Sequence, residues 1–412
     1  MAAALRSKLL IVELWGLGDL VIATPFLRAV GERFDVTLLA KPFALDLQPR
    51  LWPGVKVAAF TAPWTAFENK YQLWRWPLLE MSRMRRKLGA EHFETGLSAR
   101  WDPRDHLLLR ILGAKSRLGL PRLGSRIFMT RPLARPEPEA HHYESWRAIA
   151  RALNVQLPPR DDLPMTLSAR TLSPREERGG GEPERGAAQT KAPPLPGPLL
   201  HFAEEREKKW PVGSGSPRAI SEPWELPRNG TPSSPPAPPV GEKAPVARGR
   251  GTVLIHTGAG RPIRVWPLEQ YQSLAARLRQ EKIQTQIACD PDQRAWWLRA
   301  GEMTVATPAT VAELQTLIDQ AGVFVGNDSG PGHLAAVCGV PTFTIFGPQL
   351  PEWFAPLHPA AEWIEGKACP YLPCSDYCRF PTPHCIRRIG LEEVWQRVEK
   401  FVARNLARQD ST

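Results

Sequence analysis

Twice along this chain a short run of branched aliphatic residues feeds straight into a glycine turn and then a helical pattern, first at KLLIVEL-WGLGD and again at GTVLIHTGAG. Runs this short and this continuously apolar suit strands buried on both faces, hence a parallel sheet, and parallel strands need crossover connections, usually helices. After the first turn Leu20, Ala23, Thr24, Leu27 and Val30 recur at helical spacing, so a helix is expected to start near Asp19.

The alternation continues. DVTLLA and HFETGLSA are expected to be strands and HLLLRILGA a helix. Beyond residue 251, Leu268, Tyr271, Leu274 and Leu278 mark a helix, IQTQIA a strand, and WWLRA and VAELQTLIDQA two further helices. GVFVGN is then a strand, DSGPGHLAA the start of a helix, PTFTIFG a strand, and LEEVWQRVEKFVARNLA a closing amphipathic helix. Between these two series, residues 171–250 hold 16 Pro and 10 Gly with few aromatic or β-branched residues, a composition that does not build a packed core. A length of 412 residues suits more than one core. The expected organisation is therefore an α/β domain over 1–168, a Pro/Gly-rich disordered linker or insertion over 169–250, a second α/β domain over 251–390, and a terminal helix over 391–412.

A formal net charge of +11 and a pI near 9.6 favour an acidic partner, whether nucleic acid, an anionic membrane surface or a phosphorylated substrate. Glu13 and Asp19 interrupt the N-terminal apolar run and no small-residue cleavage site follows, so a cytoplasmic protein is expected. No run is apolar enough to span a membrane. The patch WRWPLLEMSRMRRKL places Arg and Lys beside Trp and Met, which suits either peripheral contact with an anionic, lipid-linked acceptor at the inner membrane face or a solvated basic helix.

In doubly wound sheets ligands bind beyond the carboxyl ends of the strands, where glycine turns aim helix N-termini at them. Three segments have that placement. In Trp15-Gly16-Leu17-Gly18-Asp19 the glycines allow close backbone approach, and Asp19 either caps the helix or projects into the cleft. In Gly258-Ala259-Gly260 with Arg261, Arg264 and Trp266-Pro267, two guanidinium groups would suit a diphosphate, or else lie on a solvated loop. The third, Gly326 to Ala336, runs from a buried strand into a helix start where the amides of Ser329 and Gly330 can bind an anion. Asp328 would repel phosphate and fits sugar or ribose hydroxyls, unless it caps the helix. A local packing role is favoured for His333 over ligand contact.

At these residues the sequence resembles glycosyltransferase family 9, whose best-known members are the ADP-heptose:lipopolysaccharide heptosyltransferases. The resemblance lies in four motifs taken in order. Gly18-Asp19-Leu20-Val21-Ile22-Ala23-Thr24-Pro25 matches a G-D-x-x-x-x-T-P segment, and Arg264-Val265-Trp266-Pro267 a basic-x-W-P segment. Asn327 to Ala335 matches N-D-S-G-P-x-H-L-A, and Pro341 to Pro348 matches P-T-x-x-x-F-G-P.

The resemblance implies the GT-B architecture, two Rossmann-like doubly wound domains facing across a cleft, the first binding acceptor and the second nucleotide sugar. The final helix would pack back on the N-terminal domain. The implied reaction inverts the anomeric carbon and moves a sugar, heptose from ADP-heptose in most of the family, to a lipopolysaccharide-core or related glycolipid acceptor. Asp19 would be the general base, Arg264 would neutralise the leaving diphosphate, and Asp328 would hold the donor sugar. Gly18, Arg261, Ser329, Gly330 and His333 complete the implied substrate-binding set. No cofactor is implied beyond the nucleotide-sugar substrate, and no nucleic acid partner. Three departures stand out. Glu13 occupies a position where many members carry a basic residue, Thr257 replaces a common proline, and Asp290-Pro291-Asp292-Gln293 falls where an acidic residue often meets the nucleotide ribose, here assigned to Asp292.

Cys369, Cys374, Cys378 and Cys385 crowd one region beside His384 at spacings looser than paired C-x₂-C knuckles, and no metal is assigned to them. Three alternatives stay open: a relative using another nucleotide sugar or acceptor, a nucleotide-sugar epimerase, which would work without an acceptor, and a non-catalytic binding protein on the same fold.

Overall fold

The computed structural model describes residues 6–65, 76–163, 251–374 and 377–410. The proline-rich segment assigned to 169–250, and Trp74 and Arg75 of the basic patch, lie outside the described residues. The described residues of the two α/β series belong to one compact unit.

The N-terminal series runs β1 (Lys8–Glu13), α1 (Leu17–Ile22), α2 (Thr24–Arg33), β2 (Asp35–Ala40), α3 (Ala44–Leu51) and β3 (Val55–Ala59). It continues with α4 (Leu78–Gly89), β4 (Thr95–Ser98), α5 (Pro103–Ile111), β5 (Ser116–Gly119), β6 (Arg131–Pro132) and α6 (His142–Ala152). The six strands are parallel in the order β3-β2-β1-β4-β5-β6. The period-2 alternation of a strand assigns its residues to the two faces. Leu9 and Ile11 pack with Leu20, Phe26, Leu47 and Trp146, whereas Leu10 and Val12 pack with Leu88, Leu108 and Leu109. Helices α1–α3 and α6 therefore cover one face, α4 and α5 the other. Both faces being buried is why the four residues Leu9 to Val12 at the centre of β1 are all apolar.

The C-terminal series runs β7 (Thr252–His256), α7 (Leu268–Gln280), β8 (Gln284–Ala288), α8 (Arg294–Arg299), α9 (Val311–Asp319) and β9 (Val323–Asn327). It ends with α10 (Gly330–Val337), β10 (Thr342–Phe346), α11 (Pro351–Phe354), β11 (Glu362–Glu365), α12 (His384–Arg387) and α13 (Leu391–Asp410). These five strands are also all parallel, in the order β11-β10-β9-β7-β8.

The two sheets share a continuous apolar core, in which Leu254, Phe324, Leu334 and Ala335 join Ile11, Leu20 and Phe26. Polar contacts pin the join. Arg50 pairs with Asp319 at 2.5 Å, the Ala312 amide donates to Asp46 at 3.3 Å, and a ring nitrogen of His141 meets the Ala355 carbonyl at 2.9 Å.

The last helix corrects one expectation. Rather than returning to the N-terminal domain, α13 lays Val394, Val398, Phe401 and Val402 into the core of the C-terminal sheet beside Val323, Val325 and Phe343. The reason is its apolar stripe, which fits the face of that sheet, with Phe401 and Phe343 rings 5.6 Å apart. Arg277 to Glu392 and Arg404 to Glu362 hold its flanks to the same domain.

Candidate functional site

The strand orders locate the site. Chain direction across the first sheet reverses between β1 and β4, and across the second between β7 and β9. A crevice opens outside the carboxyl ends of strands at such a reversal. The segments expected to carry chemistry are the ones that leave these strands: Trp15 to Asp19 after β1, Gly258 to Arg264 after β7, and Asp328 to Gly330 after β9.

Asp19 stands at the third position of α1, and its two oxygens do different jobs. One accepts the Gly16 amide at 3.3 Å, satisfying an orphan donor at the helix start. The other meets the Arg100 guanidinium at 2.5 Å and lies 3.8 Å from Nδ1 of His142. Burial alone would raise the Asp19 pKa, but Arg100 and His142 hold the carboxyl well below the usual range, so it is ionised. The side chain keeps 23% of its surface open, enough for a ligand hydroxyl to reach it.

Arg100 follows β4 and lies over the Trp15 ring, 4.6 Å from its centroid. Two more carboxyls sit beneath it. Glu13 accepts the Trp15 amide at 3.3 Å, and Asp105 accepts the Trp15 indole N–H at 3.3 Å. One guanidinium cannot neutralise three carboxylates. Burial accordingly pushes Glu13 up to about 8 and Asp105 up to about 7, with neighbouring carboxylates adding to both. Glu13 on the first strand and Asp19 on α1 thus share the cation from the end of β4, with Lys41 acting on both.

On the facing domain, Arg264 pairs with the buried Asp328 at 3.2 Å. Burial raises the Asp328 pKa to about 6 against the pull of Arg264. The turn carrying Arg264 is fixed by Asn327. Its side-chain oxygen accepts the Trp266 amide and the Tyr271 hydroxyl, each at 2.9 Å, and its nitrogen donates to the Thr257 carbonyl at 2.9 Å. Thr257 is tied in turn to Gln293 at 2.8 Å and to the Trp297 indole at 3.2 Å. This replacement for the more usual proline is thus absorbed by a buried polar knot. The Ser329 and Gly330 amides at the start of α10 find no acceptor among the described residues and are open to an anion.

The two helix starts meet. A Cβ on Gly18 would lie 2.8 Å from the His333 ring, and one on Gly330 would lie 2.8 Å from Leu17, so each glycine admits a side chain of the opposite helix. His333 is buried with its pKa lowered to about 4 by burial, and its Nδ1 has no hydrogen-bond partner among the described residues. Its ring packs against Gly18 of the opposite helix, and its unpaired nitrogen leaves it a donor or acceptor to spare.

Not every expected residue joins the cluster. Asp292 is exposed on a short 3-10 turn, whereas the Asp290 carboxyl lies against the Gly258 turn, where a Cβ would meet it at 2.2 Å, and binds the Ala259 amide. Arg261 is half-buried on the Arg264 loop. Cys369, Cys374 and Cys378 are half-buried and Cys385 is buried, all as free thiols. Among the described residues no group of three or more His, Cys, Asp or Glu could hold a metal, and no helix is long and apolar enough to cross a membrane. Sequence reasoning missed Arg100 and His142. The available signal was position: Arg100 leaves the strand that neighbours β1 at the reversal point.

The family model for glycosyltransferase family 9 (heptosyltransferase) matches residues 234–381. Lipopolysaccharide heptosyltransferase 3 of Escherichia coli (strain K12) is 26% identical over 166 residues, 36% of this chain and 46% of that protein, so the match spans about half of the curated relative's length. Three solved structures share the fold at low identity. E. coli heptosyltransferase WaaC with ADP aligns with a TM-score of 0.61 at 16% identity, covering 96% of this chain and 99% of that one. E. coli ADP-heptose lps heptosyltransferase II aligns at 0.58 and 14%, covering 97% and 99%. The glycosyl transferase family 9 from Veillonella parvula DSM 2008 aligns at 0.62 and 13%, covering 98% and 100%. Residues 234–381 are thus similar to glycosyltransferase family 9 (heptosyltransferase), and the described residues share the GT-B fold of these structures.

Proposed function

We propose that this chain is an inverting glycosyltransferase that transfers a sugar from a nucleotide diphosphate donor, heptose from ADP-heptose, to a lipopolysaccharide-core or related glycolipid acceptor. The observation that carries this reading is the meeting of α1 and α10. It sets an ionised carboxylate, Asp19, against a helix start with two open amides and a cation on a long stem, Arg264. A base on one side and a diphosphate cradle on the other is the division of labour that transfer between two bound substrates requires.

In this reading Arg264, with Arg261 nearby, moves from Asp328 to the donor diphosphate, and the Ser329 and Gly330 amides add donors. Asp328 and His333 are left to the sugar hydroxyls, and Gly18 makes room for the His333 ring rather than for the ligand. The ribose falls to the acidic turn, where Asp290 is better placed than Asp292. The acceptor hydroxyl gives its proton to Asp19 as its oxygen bonds to the anomeric carbon. The bond from that carbon to the diphosphate oxygen breaks, and the nucleotide diphosphate leaves with the electron pair. Attack from the face opposite the leaving group inverts the centre. A positioned base contributes ~10²–10⁴ in rate.

The test is ADP release from ADP-heptose with a lipid A–Kdo-type acceptor, for wild type and Asp19→Asn. Acceptor-dependent release lost in the variant is the expected result. Release that needs no acceptor, or that survives the substitution, overturns the assignment.

A further inference from the structure

We propose that Asp105 and Trp15 are positioning residues for the base: the buried Asp105 carboxyl on α5 fixes the Trp15 ring, and the ring fixes the Arg100 guanidinium against Asp19. The role given to Asp19 rests on the transferase reading, whereas the contacts that reach it do not.

Asp105 is a buried acid that the transfer chemistry leaves unused. It lies in the first turn of α5 with no exposed surface. Its Oδ2 accepts the Trp15 indole N–H at 3.3 Å and the Ser98 hydroxyl at 3.5 Å, both neutral donors. A carboxyl buried among neutral donors costs stability, and an apolar side chain of similar volume would serve the core better. What Asp105 adds is direction. It holds the tip of the indole while Glu13 holds the Trp15 amide at 3.3 Å, so the half-buried ring is pinned at both ends.

The same turn of α5 also holds the main chain of Arg100. One ring nitrogen of His106 meets the Arg100 carbonyl at 3.0 Å and the other meets the Ser125 hydroxyl at 2.9 Å, while Ser98 Oγ accepts the Arg100 amide at 3.2 Å. Helix α5 thus fixes Arg100 twice, its main chain directly and its guanidinium through Trp15. Without the ring the long stem has many rotamers to choose from, and Asp102, two residues on, draws on the same cation. The seat on Trp15, 4.6 Å from the ring centroid, selects the rotamer that reaches Asp19.

The test reads the guanidinium directly, by NMR relaxation of the Arg100 Nε–H in the full chain, the signal being assigned by its loss in Arg100→Lys. In wild type the order parameter should be that of a rigid group, ~0.85, and in Asp105→Leu and Trp15→Leu it should fall below ~0.6. Asp105 titrates at about 7, so in mildly acid buffer Asp105→Asn matches both its charge and its acceptor oxygen and should stay rigid. Trp15→Phe keeps a ring beneath the guanidinium but has no N–H for Asp105, so adding Asp105→Leu to it should change nothing further. Asp105→Leu should hold or raise the melting temperature while loosening Arg100, which separates positioning from folding. Should Trp15→Leu not fold, the Trp15→Phe pair decides alone. An Arg100 as rigid in Asp105→Leu as in wild type, or one loosened equally by that substitution in the Trp15→Phe background, overturns the proposal.

In the ADP-release assay the loosened variants should gain an acid limb in kcat/KM at unchanged donor KM, because Asp19 loses part of the cation that holds it ionised. The other groups facing Asp19 are untouched by these substitutions: His142 on α6, Lys41 after β2, Glu13 on β1, and Asp328 and His333 across the crevice. A loosened Arg100 in a protein that releases no ADP would remove the transferase reading and leave the positioning standing. Acceptor-dependent release with Arg100 rigid in every variant would do the reverse.

Discussion

Arg100 grips the free oxygen of Asp19 at 2.5 Å while its guanidinium rests on Trp15, so the proposed base is held in an ion pair whose cation is itself stacked in place. A carboxylate held this far below its usual range is always ionised but a weak proton acceptor, and it gains basicity as the cation is drawn away. An anionic acceptor group reaching for Arg100 would draw it away in the productive complex.

Replacing Arg100 by Met removes the largest influence that lowers the Asp19 pKa and leaves His142 and the Gly16 amide against the burial that raises it. The carboxyl should then titrate higher than in wild type. Wild-type kcat/KM should show no acid limb from Asp19, and Arg100→Met should acquire one, with activity recovering as pH rises. Arg100→Lys, which keeps the charge, should stay near the wild-type profile. An Arg100→Met profile superimposable on wild type would sever Arg100 from the base.

Glu13 titrates at about 8 in the folded protein, against an ordinary value near 4.5. The folded state therefore holds a proton that the unfolded state has already released, and stability from this group is present below about pH 4.5 and lost as pH rises toward 8. Glu13→Gln keeps an acceptor for the Trp15 amide and removes the titration. Between pH 5 and pH 8.5 the stability of the variant relative to wild type should rise by roughly 4 kcal/mol, read from thermal melts, because each tenfold fall in proton concentration across that interval costs the protonated form about 1.4 kcal/mol. A constant difference across that range would mean that Glu13 is not the group being held protonated.

How much of this was legible beforehand varies with the kind of information each residue carries. The strands, the glycine turns and the N-D-S-G start of α10 declare themselves locally, because a buried parallel strand and a tight turn leave a composition behind. Arg100 does not, since an arginine after a strand looks like any surface arginine until β4 is known to neighbour β1. His142 has the same difficulty, as its approach to Asp19 depends on how α6 crosses the sheet. The terminal helix shows the converse. Its apolar stripe is plain in the sequence, but the stripe does not say which of two similar sheets it will cover, and resemblance pointed to the wrong one.

Gly18 and His333 supply a test of the contact between the two halves. Gly18→Ala puts a methyl group 2.8 Å from the His333 ring, and overpacking of that kind costs ~1–3 kcal/mol. His333→Ala removes the obstacle, so the double variant should be more stable than the sum of the two single effects predicts, by about 1 kcal/mol or more in a double-mutant cycle. Strict additivity would show that the two helix starts do not meet in solution as described.

Asp328 should register donor binding as a proton. Its carboxyl titrates at about 6 with Arg264 beside it, burial raising it and that cation lowering it. If Arg264 leaves for the diphosphate of ADP, the lowering influence goes with it and the pKa of Asp328 climbs. Two phosphates arriving nearby push it the same way. Near pH 6.5 the bound complex should hold more of a proton than the free protein, so ADP binding should take protons up. Titration calorimetry in buffers of different ionisation enthalpy reads that uptake directly. Asp328→Asn should abolish it while leaving Arg264 free for the diphosphate, so ADP affinity should hold or improve. Arg264→Met should instead weaken ADP binding ~10-fold or more, as loss of a charge-assisted contact implies. Proton release on binding, or uptake that persists in Asp328→Asn, would place the diphosphate elsewhere than between these two residues.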